Sequence, residues 1–255
     1  MRYISIKRCL QLLGAVLAGV GAALAVSVPL APARAADVVR YVAVTGADTG
    51  DCSHGASPCL TPQFAINVAD PGDVIKIAAG TYSSVGTITF TQVGSYTFTQ
   101  VAFISKTLTV SGGYSTADWA TSDPVANPTL LDALGSGRGV TIFGSGTEVV
   151  TVTGLTLSGG DYTGLGNPTG VAFRNCLFFE VDCGGGLYAT RVELHARQLI
   201  VDGNIASRTR PSSPGGGLAL ERTLPGSTLS AITVTNNLAA ANGSYGGGMA
   251  LIEVH

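Results

Sequence analysis

Apolar and polar positions alternate in short bursts along this chain, and the bursts recur. Ala196-x-x-Leu199-x-Val201 runs into Asp202-Gly203-Asn204, and Leu229-x-x-Ile232-x-Val234 runs into Thr235-Asn236-Asn237. The same phrase reads upstream as Val152-x-x-Leu155-x-Leu157, Leu108-x-Val110 and Ile75-x-Ile77. Alternation over a few residues bounded by Gly or Asn predicts strands with one buried face, because successive strand side chains point to opposite sides. A glycine triplet keeps time with these phrases. It opens Gly184-Gly185-Gly186-Leu187, Gly215-Gly216-Gly217-Leu218 and Gly246-Gly247-Gly248-Met249, and both steps, 184 to 215 and 215 to 246, are 31 residues.

A fixed period of this size is the mark of stacked repeats that bury each other's faces. Strands this short, recurring in one direction, are expected to pair in parallel with their own copies one turn away, as in a β-helix. Leu155, Leu199 and Ile232 are then expected to stack inside, beside a row of Leu157, Val201 and Val234. Each such aliphatic is worth roughly 1.5–3 kcal/mol when buried. Asn204, Asn236 and Asn237 read as stacked turn residues, since Asn tolerates positive φ better than most.

Other elements follow from local signals. Thr61-Pro62 predicts a helix start, with Thr as N-cap and Pro in the first turn, and Pro71-Gly72 its end. The duplicated Thr89-Phe90-Thr91-Gln92-Val93 and Thr97-Phe98-Thr99-Gln100-Val101, joined through Gly94-Ser95, predict an inserted hairpin. Residues 1–35 read as a secretory signal: Arg2, Lys7 and Arg8 precede an apolar run, and Ala33-Arg34-Ala35 has the form of a cleavage site. Residues 36–255 then form the repeat domain, with 36–82 as N-terminal cap and first rung and 161–183 as an insertion. The C-terminal end reads as uncapped, because Gly246 to Val254 opens a new coil, and a chain cut from a longer one is the expectation.

Composition narrows the class. Of 255 residues, 12% are charged and 35 are glycine, a balance that suits turn-rich β structure rather than disorder. The net charge of −2 gives no basic footprint for nucleic acid. Cys52 with Cys59, and Cys176 with Cys183, are two close pairs that fit local disulfides in an oxidising compartment.

At the N-terminal end the run Pro58-Cys59-x-Thr61-x-Gln63-x-Ala65-Ile66-x-x-Ala69-x-x-Gly72-Asp73-x-Ile75-x-Ile77-Ala78-Ala79-Gly80-Thr81-Tyr82 resembles the capping segment of secreted bacterial right-handed parallel β-helix repeat proteins with the pectin-lyase-like fold. Lys106-Thr107-Leu108-Thr109-Val110-Ser111-Gly112-Gly113-Tyr114 and Gly154-Leu155-Thr156-Leu157-Ser158-Gly159-Gly160 are similar to their first rungs. The resemblance spans 41–255 and implies an all-β, right-handed parallel β-helix with a short N-terminal capping helix. It implies little about activity, because that fold carries lyases, hydrolases and non-catalytic surface proteins alike.

Candidate chemistry is sparse. Hydrolysis of a polysaccharide needs a positioned carboxylate pair, and the polygalacturonase-like motifs cannot be placed here. The rungs supply Glu193, Asp202 and Glu221, with Arg191, Arg197 and Arg222 nearby, all expected on the outward face. Asp48 and Asp51 read as turn formers rather than Ca²⁺ ligands. Trp119, Tyr162, Phe178 and Phe179 are aromatics that could stack on sugars, with core packing as the plainer expectation. Asn242-Gly243-Ser244 is an acceptor sequon. No catalytic, cofactor or metal residue is assigned. The expected role is a non-catalytic secreted or cell-surface repeat protein that binds extracellular polysaccharide or surface components, with no membrane span after signal cleavage and oligomeric state left open. The alternatives are a polysaccharide lyase or glycoside hydrolase, and a structural spacer.

Overall fold

The computed structural model describes residues 37–90, 96–165, 176, 182–209, 213–240 and 246–254. The signal segment, most of the 161–183 insertion and the Asn242 sequon lie outside the described residues.

Fifteen strands and one short helix follow in order: β1 (Val39–Val42), α1 (Pro62–Val68), β2 (Val74–Ala78), β3 (Gly80–Tyr82), β4 (Gly86–Phe90), β5 (Tyr96–Ile104), β6 (Leu108–Tyr114), β7 (Thr129–Asp132), β8 (Arg138–Phe143), β9 (Val149–Thr153), β10 (Thr156–Ser158), β11 (Leu187–Thr190), β12 (Glu193–Asp202), β13 (Leu218–Glu221), β14 (Thr228–Thr235) and β15 (Met249–Ile252). Nine of them form a wholly parallel sheet running β1-β2-β6-β9-β12-β10-β7-β3, with β14 also paired to β12. The other six form a second sheet, β15-β13-β11-β8-β5-β4, in which β4 and β5 are antiparallel.

This corrects the expectation of a single all-β, right-handed parallel β-helix. The strands are mostly parallel and the larger sheet curls, which is compatible with a solenoid, but they divide between two sheets and the smaller sheet is mixed. The hairpin is one physical reason. A short connection can return a strand only antiparallel, whereas a parallel neighbour needs a long crossover. The Thr-rich duplicate, expected as an inserted hairpin, forms the β4–β5 ribbon, and its antiparallel pairing makes the smaller sheet mixed.

Within the repeats the expected columns form. Leu199 lies opposite Ile232, and Leu157 opposite Val201, which lies opposite Val234. The Leu155 carbonyl accepts from the Ile200 amide at 3.0 Å, so its segment abuts the same column. These residues join one core cluster with Ile75, Ile77, Leu108, Val110, Leu187 and Leu218. Each 31-residue repeat adds one strand to each sheet: β11 then β12, β13 then β14.

Two kinds of position turn the chain between strands. The first glycine of each triplet is left-handed, with φ of 57°, 61° and 67° at Gly184, Gly215 and Gly246. The third lies so close to the next rung that a Cβ on Gly186 would sit 2.7 Å from the Gly217 carbonyl oxygen and 2.8 Å from Val201. Side chains are thus excluded there by both conformation and space. Asn204 fills a different role, as a buried ladder. Its Nδ2 donates to the Leu157 and Asp202 carbonyls, and its backbone N–H donates to Asn237 Oδ1 at 2.8 Å. Asn237 Nδ2 in turn donates to the Val201 carbonyl. Asn236 takes φ of 53°, the left-handed turn position.

Helix α1 starts where Thr61-Pro62 predicts, with Thr61 Oγ1 accepting from the Phe64 amide at 3.2 Å. It buries Pro62, Ala65 and Ile66, and Phe64 and Val68 pack on the core. Asp73 fixes this end. Its carboxylate accepts from the Val38 and Asp70 amides and from Arg40, whose Nη2 lies at 2.8 Å. Burial alone would raise the Asp73 pKa, but those donors outweigh it and hold the carboxyl below its ordinary value.

Candidate functional site

The outward face of the parallel sheet is built from aligned side chains. Strand pairing places Thr109, Thr151, His195 and Thr228 in one column, and Thr156, Ile200 and Thr233 in another. A third column holds Asp132, Ser158, Asp202 and Thr235. Strand spacing sets neighbours in each about 4.8 Å apart. The columns are internally bonded: His195 Nδ1 and Thr228 Oγ1 are 2.9 Å apart, and Asp202 accepts from Thr235 Oγ1 at 2.7 Å and Asn236 Nδ2 at 2.8 Å. These two donors hold the Asp202 carboxyl below its usual range.

The sheet bends between the first column and the other two. Gln198 and Ala231, both at φ 52°, and Gly154, at φ 66°, form the corner. The 115–128 loop lies against it. Ser122 Oγ donates to the Gly112 carbonyl at 2.8 Å, and a Cβ on Gly154 would sit 2.9 Å from Pro124. Between loop and corner runs an open groove of about 460 Å³, whose lining includes Pro124, Val125, Pro128, Gln198, Ile200 and Thr233. Among the described residues no titratable side chain lines it. Val125 is 92% exposed and Ile200 47%, so both present apolar surface to solvent.

The residues singled out from the sequence are dispersed. Asp48 accepts from the Leu60 and Thr61 amides and from Thr61 Oγ1, and Asp51 from the Ser53 amide and hydroxyl, so both carboxylates secure turns. Trp119 packs edge-on against Tyr41, with ring centroids 4.9 Å apart, and its carbonyl accepts from Lys76 Nζ. Glu193 and His195 lie 3.1 Å apart on the outward face, Arg222 bonds Glu253 at 2.7 Å, and Arg197 is exposed. Arg191 sits at a left-handed corner, with φ of 56°. Phe178 and Phe179 lie outside the described residues. Among the described residues no three His, Cys, Asp or Glu side chains gather as a metal-binding group.

Glu221 departs from expectation. It is fully buried, not outward in solvent, because the second sheet is covered on both faces. Its inner face joins the main core through Val140, Leu187, Ala189, Leu218 and Leu220, while its other face carries a second cluster of Phe98, Phe103, Phe143, Tyr188, Ala219 and the Cys176–Cys183 disulfide. Tyr188 donates its hydroxyl to Glu221 Oε2 at 3.0 Å. Burial pushes the Glu221 carboxyl up to about 7 and the Tyr188 phenol well above its usual value.

Arg138 completes this buried polar set. Its Nε donates to the Cys183 and Gly184 carbonyls at 2.9 and 3.0 Å. Its guanidinium lies 3.3 Å from the Tyr162 ring centroid and 4.9 Å from that of Tyr188, so Tyr162 is a buried stacking partner rather than an open sugar platform. The arrangement ties the disulfide-closed end of the insertion to the sheet. The sequence held a signal for the two-sided burial alone, not for which polar residues it seals: Leu187-Tyr188-Ala189-Thr190 and Leu218-Ala219-Leu220-Glu221 are not simple apolar–polar alternations.

The second disulfide, Cys52–Cys59, closes the loop before α1. Among the described residues no helix is long and apolar enough to cross a membrane. Compared with known proteins, the chain matches no family model, no curated protein and no solved structure.

Proposed function

We propose that the chain is a non-catalytic secreted or cell-surface repeat protein that binds extracellular glycan along the groove between the 115–128 loop and the Gln198–Ala231 corner. The observation that carries this reading is the pairing of exposed apolar side chains, Val125 and Ile200, with hydroxyl and amide groups of Thr156, Thr233 and Gln198 in one groove free of titratable groups among the described residues. Sugar rings offer both faces: C–H patches for apolar contact and hydroxyls for hydrogen bonds. Two disulfides fit an oxidising compartment, which supports the extracellular setting. The kinship with pectin-lyase-like repeat proteins belongs to the same proposal, and the mostly parallel, curled strands support it.

The test is binding to an array of neutral and acidic polysaccharides, with parallel measurement of reducing ends and unsaturated products. Retention of a neutral polysaccharide that Ile200→Asp weakens at least tenfold, with no product released, is the expected result. Product release would favour the lyase or hydrolase reading, and no binding at all the structural spacer.

A further inference from the structure

The floor of the groove belongs to one column that crosses five strands. Strand pairing sets Thr81, Leu130, Thr156, Ile200 and Thr233 side by side, on β3, β7, β10, β12 and β14. Hydroxyl and apolar side chains alternate along it without a break. All five reach solvent, Leu130 and Thr156 as half-buried side chains and Thr81, Ile200 and Thr233 as exposed ones. Parallel rungs stand about 4.8 Å apart, so each kind of side chain recurs every two rungs, at about 9.6 Å.

The hydroxyls of this column differ from those beside it. Thr228 is bonded to His195, and Thr235 to Asp202. Among the described residues no group bonds the hydroxyls of Thr81, Thr156 or Thr233, so all three are left to an outside partner. The column itself holds no charge, but its neighbour does. Two positions further along β7 and β12, the same face carries the Asp132 and Asp202 carboxylates, which would repel a polyuronate laid beside them.

A period of two rungs selects among glycans. In an extended β-linked chain of the cellulose, mannan or chitin type, each ring is turned over relative to the last, so a given ring edge returns at every second residue. One edge carries the secondary hydroxyls or amide, and the other the hydroxymethyl arm with its C–H groups. Two residues of such a chain are close in length to two rungs. Laid across the strands, it meets Thr81, Thr156 and Thr233 with the first edge and Leu130 and Ile200 with the second. Pro124, Val125 and Pro128 stand beside it as an apolar wall. An α-linked chain of the amylose type coils, and its edges do not return at this interval.

Resting on the glycan-binding reading above, we propose that this column recognises an extended, neutral, β-linked polysaccharide of two-fold symmetry, one sugar residue to each rung. The test is calorimetric titration of the full chain with cello-, manno- and chitohexaose, beside maltohexaose and an oligogalacturonate. It is repeated on a double variant of matched composition, Ile200→Thr with Thr233→Ile, which breaks the alternation. Binding of at least one β-linked hexaose, none of the α-linked or acidic chains, and a loss of roughly tenfold in the double variant is the expected result. Maltohexaose or oligogalacturonate bound as tightly as the β-linked chains, and weakened by Ile200→Asp, overturns this proposal while leaving the groove a glycan site. A double variant that binds like the wild type overturns it too, because composition without alternation is then enough. No binding of any chain, or binding that Ile200→Asp leaves unchanged, overturns the groove reading along with it. Should the double variant lose the wild-type circular dichroism, the comparison of linkages on the wild type decides.

Discussion

The two sheets share a repeat but not an environment, and the contrast explains most of the molecule. Strand β12 of the parallel sheet alternates buried and accessible positions on either side of its corner, with Leu194, Ala196, Leu199 and Val201 inside and His195, Arg197, Ile200 and Asp202 outside. Strands β11 and β13 of the mixed sheet are buried at every position. One sheet therefore carries the accessible hydroxyl columns and the groove. The other is the middle layer between two apolar clusters, and its polar groups are sealed in. A given residue type means different things on each: Asp202 is a solvated acceptor with a lowered pKa, while Glu221 is a buried acid with a raised one.

Substitutions in the two environments should differ in size. The greatest loss belongs to the core that both sheets share. Leu157→Ala removes a fully buried side chain from the column with Leu131 and Val201, and about 2–5 kcal/mol of stability should go with it, read from the urea midpoint at unchanged slope.

Next comes the sealed acid. Because burial raises the folded Glu221 pKa above its unfolded value, the contribution of its neutral form is full below about pH 4.5 and declines as pH rises through about 7. Above that range the wild type carries a penalty of up to about 3 kcal/mol, since each tenfold change in proton affinity is worth about 1.4 kcal/mol. Glu221→Gln should accordingly gain on the wild type in melting temperature between pH 5 and pH 8. A parallel pH dependence of the two proteins would show that Glu221 is solvated.

The outward columns should respond least. Thr228→Ala removes a hydroxyl paired with His195 on an exposed strand position, and stability should change by less than about 0.5 kcal/mol. A loss above 2 kcal/mol would mean that this column is covered.

What the sequence makes legible follows the same divide. Leu155, Leu199 and Ile232 can be read because one-sided burial writes itself as alternation, and the Thr-rich duplicate reads as a hairpin because its two halves are joined by a short glycine loop. Tyr188, Glu221 and Arg138 cannot, since a strand covered on both sides has no period to betray which polar residue is sealed. The corners at Gln198, Ala231 and Arg222 are silent for another reason. They are left-handed without being Gly or Asn, held there by the stacked rungs rather than by intrinsic preference. The single uniform solenoid fails as an expectation because the repeat phrase predicts parallel pairing of each strand with its copy but not how the strands divide between two sheets.

All of this rests on the outer face of the mixed sheet being covered while that of the parallel sheet is open. Melting of Ala219→Asp beside Ser230→Asp decides the point: both introduce one carboxylate at an outward strand position, the first fully buried and the second exposed. A fall of more than about 10 °C for Ala219→Asp, with little change for Ser230→Asp, is the predicted result. Equal, small shifts in the two variants would contradict it.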